Sequence, residues 1–330
     1  MATLSVFNPT LLDVAKTLDP DGSSSAVAEL LSQENEILMD APWFEGNLPT
    51  GHRVSMRTGL PTSTWRKFNS GIDQSKSTYA QVDEACGMLE QMGTVDKDLA
   101  ELNGNTTAFR MLEARGHIES MNIDMASTLF YGDTSLFPER FLGLAPRFNS
   151  TTAESGDNII LGGGSGSDNC SVWLVGWAAH SIHGIFPKAT KAGLSHTDLG
   201  LETVYDASNR PFRAYRDHYQ WKCGIALKDW RYVVRIANID VSDLTKTGST
   251  GADLIDLMTR ATERIYSLQG VRPVFYCNRT VRSFLRRQVV NKIAGATLTY
   301  DAVAGQKMLS FAEIPVRRVD ALTLAEATVS

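Results

Sequence analysis

The sequence predicts an α+β fold in which one long helix is laid across a long sheet. Three observations carry this. In residues 105–132 the apolar side chains Phe109, Leu112, Ile118, Met121, Met125 and Leu129 recur at three- and four-residue steps close to one helical stripe. Residues 212–240 hold two β-rich runs separated by Lys228-Asp229, which read as an antiparallel pair. From Gly251 the pattern alternates helix, strand, helix, strand. A chain of 330 residues, 43% hydrophobic and 21% charged, buries a sizeable core and has the length of two domains. Its net charge of −5 argues against a dedicated nucleic-acid binder, which carries a strong positive face.

In chain order, residues 1–47 hold short amphipathic pieces at 11–18 and 25–35, broken by Asp19-Pro20-Asp21-Gly22 and a serine run. They are too short to make a core, so Ile37, Leu38, Trp43 and Phe44 must bury against something else. That is either a neighbouring structure or the chain's own domain. Residues 48–93 change character: Gly51, Gly59, Pro61 and Gly71 punctuate alternating runs such as His52-Arg53-Val54-Ser55-Met56-Arg57, the pattern of a two-stranded ribbon. Two strands alone are marginal in water. Trp65 and Phe68, set among Arg53, Arg57, Arg66 and Lys67, have the aromatic-plus-arginine character of interface contacts; the competing reading is a solvated surface hairpin.

The long helix follows, capped by Asn105, Thr106 or Thr107 and ended by Gly132 in the left-handed conformation. At about 1.5 Å per residue it runs roughly 38 Å. Residues 157–177 read as strand, glycine turn, strand, a hairpin. The glycine run is not a phosphate loop, because no lysine follows it and the next segment is a strand. His180 and His183 sit three apart, but Gly184 and Pro187 break any helix there and no nearby acid completes a ligand set. Tyr215, Tyr219 and Trp221 are expected to bury against the long helix. Leu254, Leu257, Met258, Ala261 and Ile265 line a helical face, residues 274–277 form a strand, and Asn278 caps a helix through Val281, Leu285 and Val289. A final strand spans 311–319. Arg282, Arg286, Arg287 and Lys292 make one basic helix face, able to meet nucleic acid or an acidic neighbour, although most such runs are simply solvated.

The run Leu129-Phe130-Tyr131-Gly132-Asp133, then Pro138, Phe141, Gly143-Leu144 and Pro146-Arg147-Phe148, resembles the end of the spine helix in major capsid proteins of short-tailed bacteriophages. Gly184-Ile185-Phe186-Pro187-Lys188, Ala192-Gly193-Leu194 and the ending Glu313-Ile314-Pro315-Val316-Arg317-Arg318-Val319-Asp320 are similar to that family too. The resemblance implies the tailed-phage (Johnson) capsid fold: an N-terminal arm at 1–47, an extended β-hairpin loop at 48–93 reaching over the adjacent subunit, a peripheral domain at 94–245 with spine helix 105–132 and long strands 212–240, and an axial domain at 246–330. In the commonest arrangement of that fold the axial domain precedes the long strands. Here the long strands come first, so the parts are expected in permuted order, with the chain ending near the axial domain.

The function so implied is a major capsid protein that assembles into hexamers and pentamers of an icosahedral head enclosing double-stranded DNA. It is made in the bacterial host cytoplasm and located in the virion. The implied partners are copies of itself, a separate scaffolding protein, a portal, a decoration protein, and packaged DNA by proximity only; no membrane and no cofactor are implied. Trp43 and Phe44 would be arm contacts, and Arg53, Arg57, Trp65, Arg66, Lys67 and Phe68 loop contacts. Some relatives cross-link through lysine and asparagine; Lys67 and Lys76 lie in the corresponding region, and non-covalent linkage is expected. No G-x-S-x-G elbow, H-E-x-x-H helix or dinucleotide fingerprint argues for an enzyme. The alternatives are a cellular encapsulating or ligand-binding protein of the same fold, and a metal-dependent enzyme using the histidines.

Overall fold

A computed structural model describes residues 33, 35–102, 106–206, 208–246, 251–291, 298–303 and 306–330. The piece expected at 11–18, nearly all of that at 25–35, the capping residue Asn105 and Lys292 lie outside the described residues.

In chain order, a one-turn helix α1 (Ile37–Asp40) is followed by β1 (Trp43–Glu45), β2 (Gly51–Gly59), β3 (Thr78–Ala85) and β4 (Gly87–Asp96). The helical turn α2 (Lys97–Ala100) then leads to the long α3 (Thr106–Tyr131). Next come β5 (Ile159–Leu161), β6 (Asn169–Trp177), β7 (Ile182–Phe186), β8 (Leu194–Tyr205), β9 (Pro211–Leu227) and β10 (Val233–Asp240). The chain closes with α4 (Leu254–Arg264), β11 (Arg272–Cys277), α5 (Arg279–Asn291), β12 (Leu298–Val303), β13 (Gln306–Phe311) and β14 (Ile314–Arg318).

The body is a sheet in the order β5-β10-β6-β11-β14-β13-β12. Its central strands are covered on both faces, and their sequences read accordingly as unbroken apolar runs. Val172, Leu174, Val234, Ile236 and Phe275 point to one core with α4 and α5. Trp173, Val175, Val233, Ala237, Val274 and Tyr276 alternate to the other side, packing with Ile37, the C-terminal half of α3, and Leu322 and Val329 of the tail.

A second sheet is built on the 17-residue β9. Its last residues pair with β7, while residues 211–223 pair with β4 along one edge and β8 along the other. The helix α3 crosses this outer sheet: Tyr215 packs with Phe109, and Tyr219 stacks between His117 and His196 at 5.7 and 4.9 Å. Of the aromatic run of β9, Tyr219 is therefore buried beside the long helix, while Tyr215 and Trp221 are half-buried.

Several expectations are corrected. The runs in 212–240 do not pair with each other; β9 joins the outer sheet and β10 is inserted between β5 and β6. Residues 157–177 are consequently no hairpin, since β5 and β6 are separated by β10, and the glycine run crosses the end of β10 with Gly162 and Gly164 donating to Ala237 O and Asn238 O. The strand expected at 311–319 is the second half of a hairpin. Its two-residue turn, Ala312-Glu313, has φ of 47° and 68° at both positions, a type I′ geometry without the usual glycine.

Gly132 ends α3 for a reason other than handedness. A Cβ there would collide with Phe141 O and stand 2.7 Å from Thr128 O, because the chain doubles back and Gly143 N donates to Gly132 O. The predicted stripe is buried only at its ends: Phe109, Met121, Met125 and Leu129 are covered, and Ile118 is 43% exposed. Finally, the chain visits the central sheet twice, at β5–β7 before β9 and again from β10 onward. After β14 the tail turns back beneath α3.

Candidate assembly surface

The hairpin β2–β3 is a two-stranded sheet of its own, with Arg53 opposite Asp83, Val54 opposite Val82 and Arg57 opposite Tyr79. Its outer face carries cross-strand polar pairs. Arg53 makes a forked ion pair with Asp83 (2.6 and 2.7 Å), and Arg57 donates to the Tyr79 hydroxyl (3.2 Å) while lying over its ring. Such exposed pairs fix register and add little stability.

The root is different. Val54 is buried with Ile185 and Ala226, and Glu84, 5% exposed, receives both guanidinium nitrogens of Arg147 at 2.6 and 2.7 Å. Arg147 also donates to Gly143 O and Leu142 O. The turn after α3 thus clamps the base of the hairpin. Beside it His52 meets His183 edge-on at 5.9 Å, and His183 meets Phe44 at 5.1 Å. Burial, with Lys228 adding to it, lowers the His183 pKa to about 4.

The strand β4 leaves the hairpin at Gly87, so the expected loop boundary at Gly93 falls inside a strand of the outer sheet.

Beyond the root nothing among the described residues covers the hairpin. Residues 60–77 form an irregular loop in which Leu60 is 78%, Trp65 101% and Phe68 97% exposed. Arg66 and Lys67 are exposed alongside. A groove of about 1040 Å³ runs between β2 and residues 228–231, lined among others by Arg53, Arg57, Leu60, His180 and Arg231. Aromatic side chains this exposed at the tip of a two-stranded ribbon form a candidate contact surface.

The other expected contacts separate. Trp43 packs within its own chain: β1 pairs with β7, and the indole occupies the space that a Gly184 side chain would fill. Phe44 is 42% exposed beside a second recess, about 450 Å³, shared with Asp40, Trp177 and Arg272. On α5 Arg282 is turned to Glu36 at 4.0 Å, Arg287 lies over the Phe284 ring, and Arg286 is exposed. Of the three described, Arg286 and Arg287 are exposed and Arg282 is partly covered; Lys292 lies outside the described residues. His180 packs on Tyr232 and His183 on Phe44, so the pair is divided between different neighbours.

Two buried ion pairs were not legible in the sequence. Arg147 and Glu84 are 63 residues apart, and Arg235 and Glu326 are 91 apart. No local spacing signals such partners. Arg235 is 4% exposed on β10, 2.8 Å from Glu326 in the tail, and donates to Phe148 O at 2.7 Å. Glu326 also accepts from the hydroxyls of Ser171 and Tyr131.

A rigid two-faced body with an anchored hairpin whose tip is bare defines a structural subunit, completed by association with other chains. The family model for the major capsid protein GP7 matches residues 19–330, and the chain belongs to that family. Among solved structures it is similar to a chain of bacteriophage Epsilon15, with 35% identity, TM-score 0.79 and the whole of both chains covered. A chain of the bacteriophage JBD30 capsid follows at 10% identity and TM-score 0.46, over 96% of this chain and 99% of that one. The encapsulin SrpI of Synechococcus elongatus PCC 7942 follows at 9% identity and TM-score 0.44, over 66% and 91%. No curated protein matches. The chain is thus a major capsid protein of phage type, and its fold is that of the tailed-phage capsids. No helix of the described residues is long and apolar enough to cross a membrane.

Proposed function

We propose that the subunits close into hexamers and pentamers of an icosahedral head, with the β2–β3 hairpin of each lying on its neighbour. The observation that carries this is the full exposure of Trp65 and Phe68 at the end of a hairpin whose root is buried and clamped. A rigid root aims the tip, and the tip gains its burial only in the assembly. Arg53, Arg57, Arg66 and Lys67 frame the aromatic pair and supply the polar rim of that contact. Phe44 and the segment before it serve as the arm, with Trp43 as its fixed anchor. Each contact is modest, and the closed shell is held by their number. Linkage is non-covalent, and Lys67 and Lys76 take part as charges.

In this reading residues 48–86 are the extended loop, the outer sheet with α3 is the peripheral domain, and the sheet with α4 and α5 belongs to the axial domain. The protein is non-catalytic, and assembly takes place in the host cytoplasm with a scaffolding protein, a portal and a decoration protein as partners. Arg286 and Arg287 face packaged double-stranded DNA or an acidic neighbour.

The test is the double substitution Trp65→Ser with Phe68→Ser, read by electron microscopy and sedimentation. Dispersed subunits with an unchanged circular dichroism spectrum are expected. Closed shells formed as readily as by the parent protein would overturn the reading.

A further inference from the structure

The glycine-rich turn between β5 and β6 carries chemistry that shell contacts do not use. Residues 163–171 read Gly-Gly-Ser-Gly-Ser-Asp-Asn-Cys-Ser, which fits G-G-x-G-x-D-x-U-x, the repeat with which calcium-binding parallel β-helices hold an ion in a turn before a short strand. Here too the turn runs into a strand: β6 begins directly after Asp168, and Cys170, at the apolar position, is fully buried. One copy of such a turn offers few ligands, so the others have to come from elsewhere in the fold.

They come from the end of β10. The hydrogen bonds from Gly162 and Gly164 to β10 fold the turn over Asp240. The position a Gly166 Cβ would occupy is 2.7 Å from Asp240 Oδ2 and 3.0 Å from Asp168 Oδ1, and the two carboxylates touch. Their remaining oxygens are anchored. Asp168 Oδ2 accepts from Ser242 N (3.0 Å), and Asp240 Oδ1 accepts from Ser242 N (3.0 Å) and Ser242 Oγ (2.8 Å). The two carboxyl groups are turned face to face by their own anchors, an arrangement that a cation can bridge.

A further observation is independent of the carboxylates. Asn169 is fully buried, and its Oδ1 has no hydrogen-bond partner. The amide cannot be reversed, because Nδ2 donates to Gly166 O at 2.6 Å. Oδ1 lies against Gly164, where a Cβ would stand 2.8 Å from it, from Asn238 O and from Asp240 Cβ alike, so that only glycine leaves room between them. A buried amide oxygen without a hydrogen-bond partner, next to the Asp240 side chain, is free to serve as a ligand.

We propose that this turn is a calcium site, with Asp168 and Asp240 as charged ligands and Asn169 Oδ1 as a neutral one. No group of three or more His, Cys, Asp or Glu side chains forms a metal site among the described residues, so the rest of the coordination falls to neutral oxygens and water. An irregular, all-oxygen set suits calcium better than magnesium, which demands near-octahedral ligands.

The test uses empty shells stripped with a chelator and then dialysed against calcium chloride at pH 7.5, with bound calcium measured by atomic absorption. About one ion per chain is expected. Asp168→Asn and Asp240→Asn, which keep their acceptors to Ser242, should each weaken binding by about tenfold or more with shells of unchanged appearance. Where one variant fails to assemble, the other decides. Stripped parent shells that bind no calcium at millimolar concentration, as a proton shared by the two carboxylates would produce, overturn the proposal. So do variants that bind as tightly as the parent.

Discussion

The hairpin β2–β3 and the C-terminal tail are both extended segments that leave the body, and they are treated in opposite ways. The tail is tied down along its length. Asn238 holds Val329 with both amide atoms at 2.8 and 2.9 Å, and Thr151 N donates to Ser330 O. Glu326 sits 7% exposed among Arg235, Ser171 and Tyr131. Among the described residues the hairpin is tied only at its root, and Trp65 and Phe68 are left bare. A segment that its own chain satisfies is part of the fold, and one that it does not is, in the proposed reading, what a neighbour completes.

Glu326→Ala should break this contrast most severely. It leaves the Arg235 guanidinium buried without its counter-charge, and a loss of about 4 kcal/mol is expected in chemical denaturation of the subunit. Arg147→Met comes next. Stranding Glu84 at the hairpin root should cost about 3 kcal/mol, and amide exchange should rise first in residues 51–59 and 78–85. If exchange rises evenly over the body instead, the clamp is not specific to the hairpin.

Acid should loosen the same root. His183 is folded with a pKa of about 4 against an ordinary 6.5, so the unfolded chain takes up the proton first. The neutral ring's stability is whole above about pH 6.5 and is lost as pH falls toward 4, by about 2–3 kcal/mol in all. His52 is lowered by burial in the same direction. His183→Leu should flatten this window in a pH series of thermal midpoints. The smallest effect on the subunit sharpens the comparison: Trp65→Ser should change unfolding stability by no more than about 0.5 kcal/mol while shell yield falls.

Much of this was legible in the sequence. The stripe at Leu254, Leu257, Met258 and Ala261 is α4, the asparagine before α5 caps it with Thr280 N at 3.0 Å, and the Arg-Val alternation of β2 became a ribbon strand. What stayed hidden is what depends on distant partners. Periodicity gives a strand its faces but not its neighbours, so β10 could be recognised and its place between β5 and β6 could not. The Ala312-Glu313 turn lacked the glycine that announces a type I′ hairpin. The candidate contacts divided on the same ground. Composition marked Trp43 and Trp65 alike, and only packing distinguishes an indole seated on Gly184 from one seated on nothing.

The continuity of β9 has a mechanical consequence. Its last residues belong to the body through β7 and the preceding ones to the outer sheet through β4 and β8, with no length of unpaired backbone between. The two sheets therefore cannot swing about a loop. Any rotation of one against the other is taken up as a change of pitch along a single strand, whose angle to its neighbours ranges over about 10 to 35° in ordinary sheets. Such a strand works as a torsion bar, storing a small angular difference elastically and without breaking a hydrogen bond.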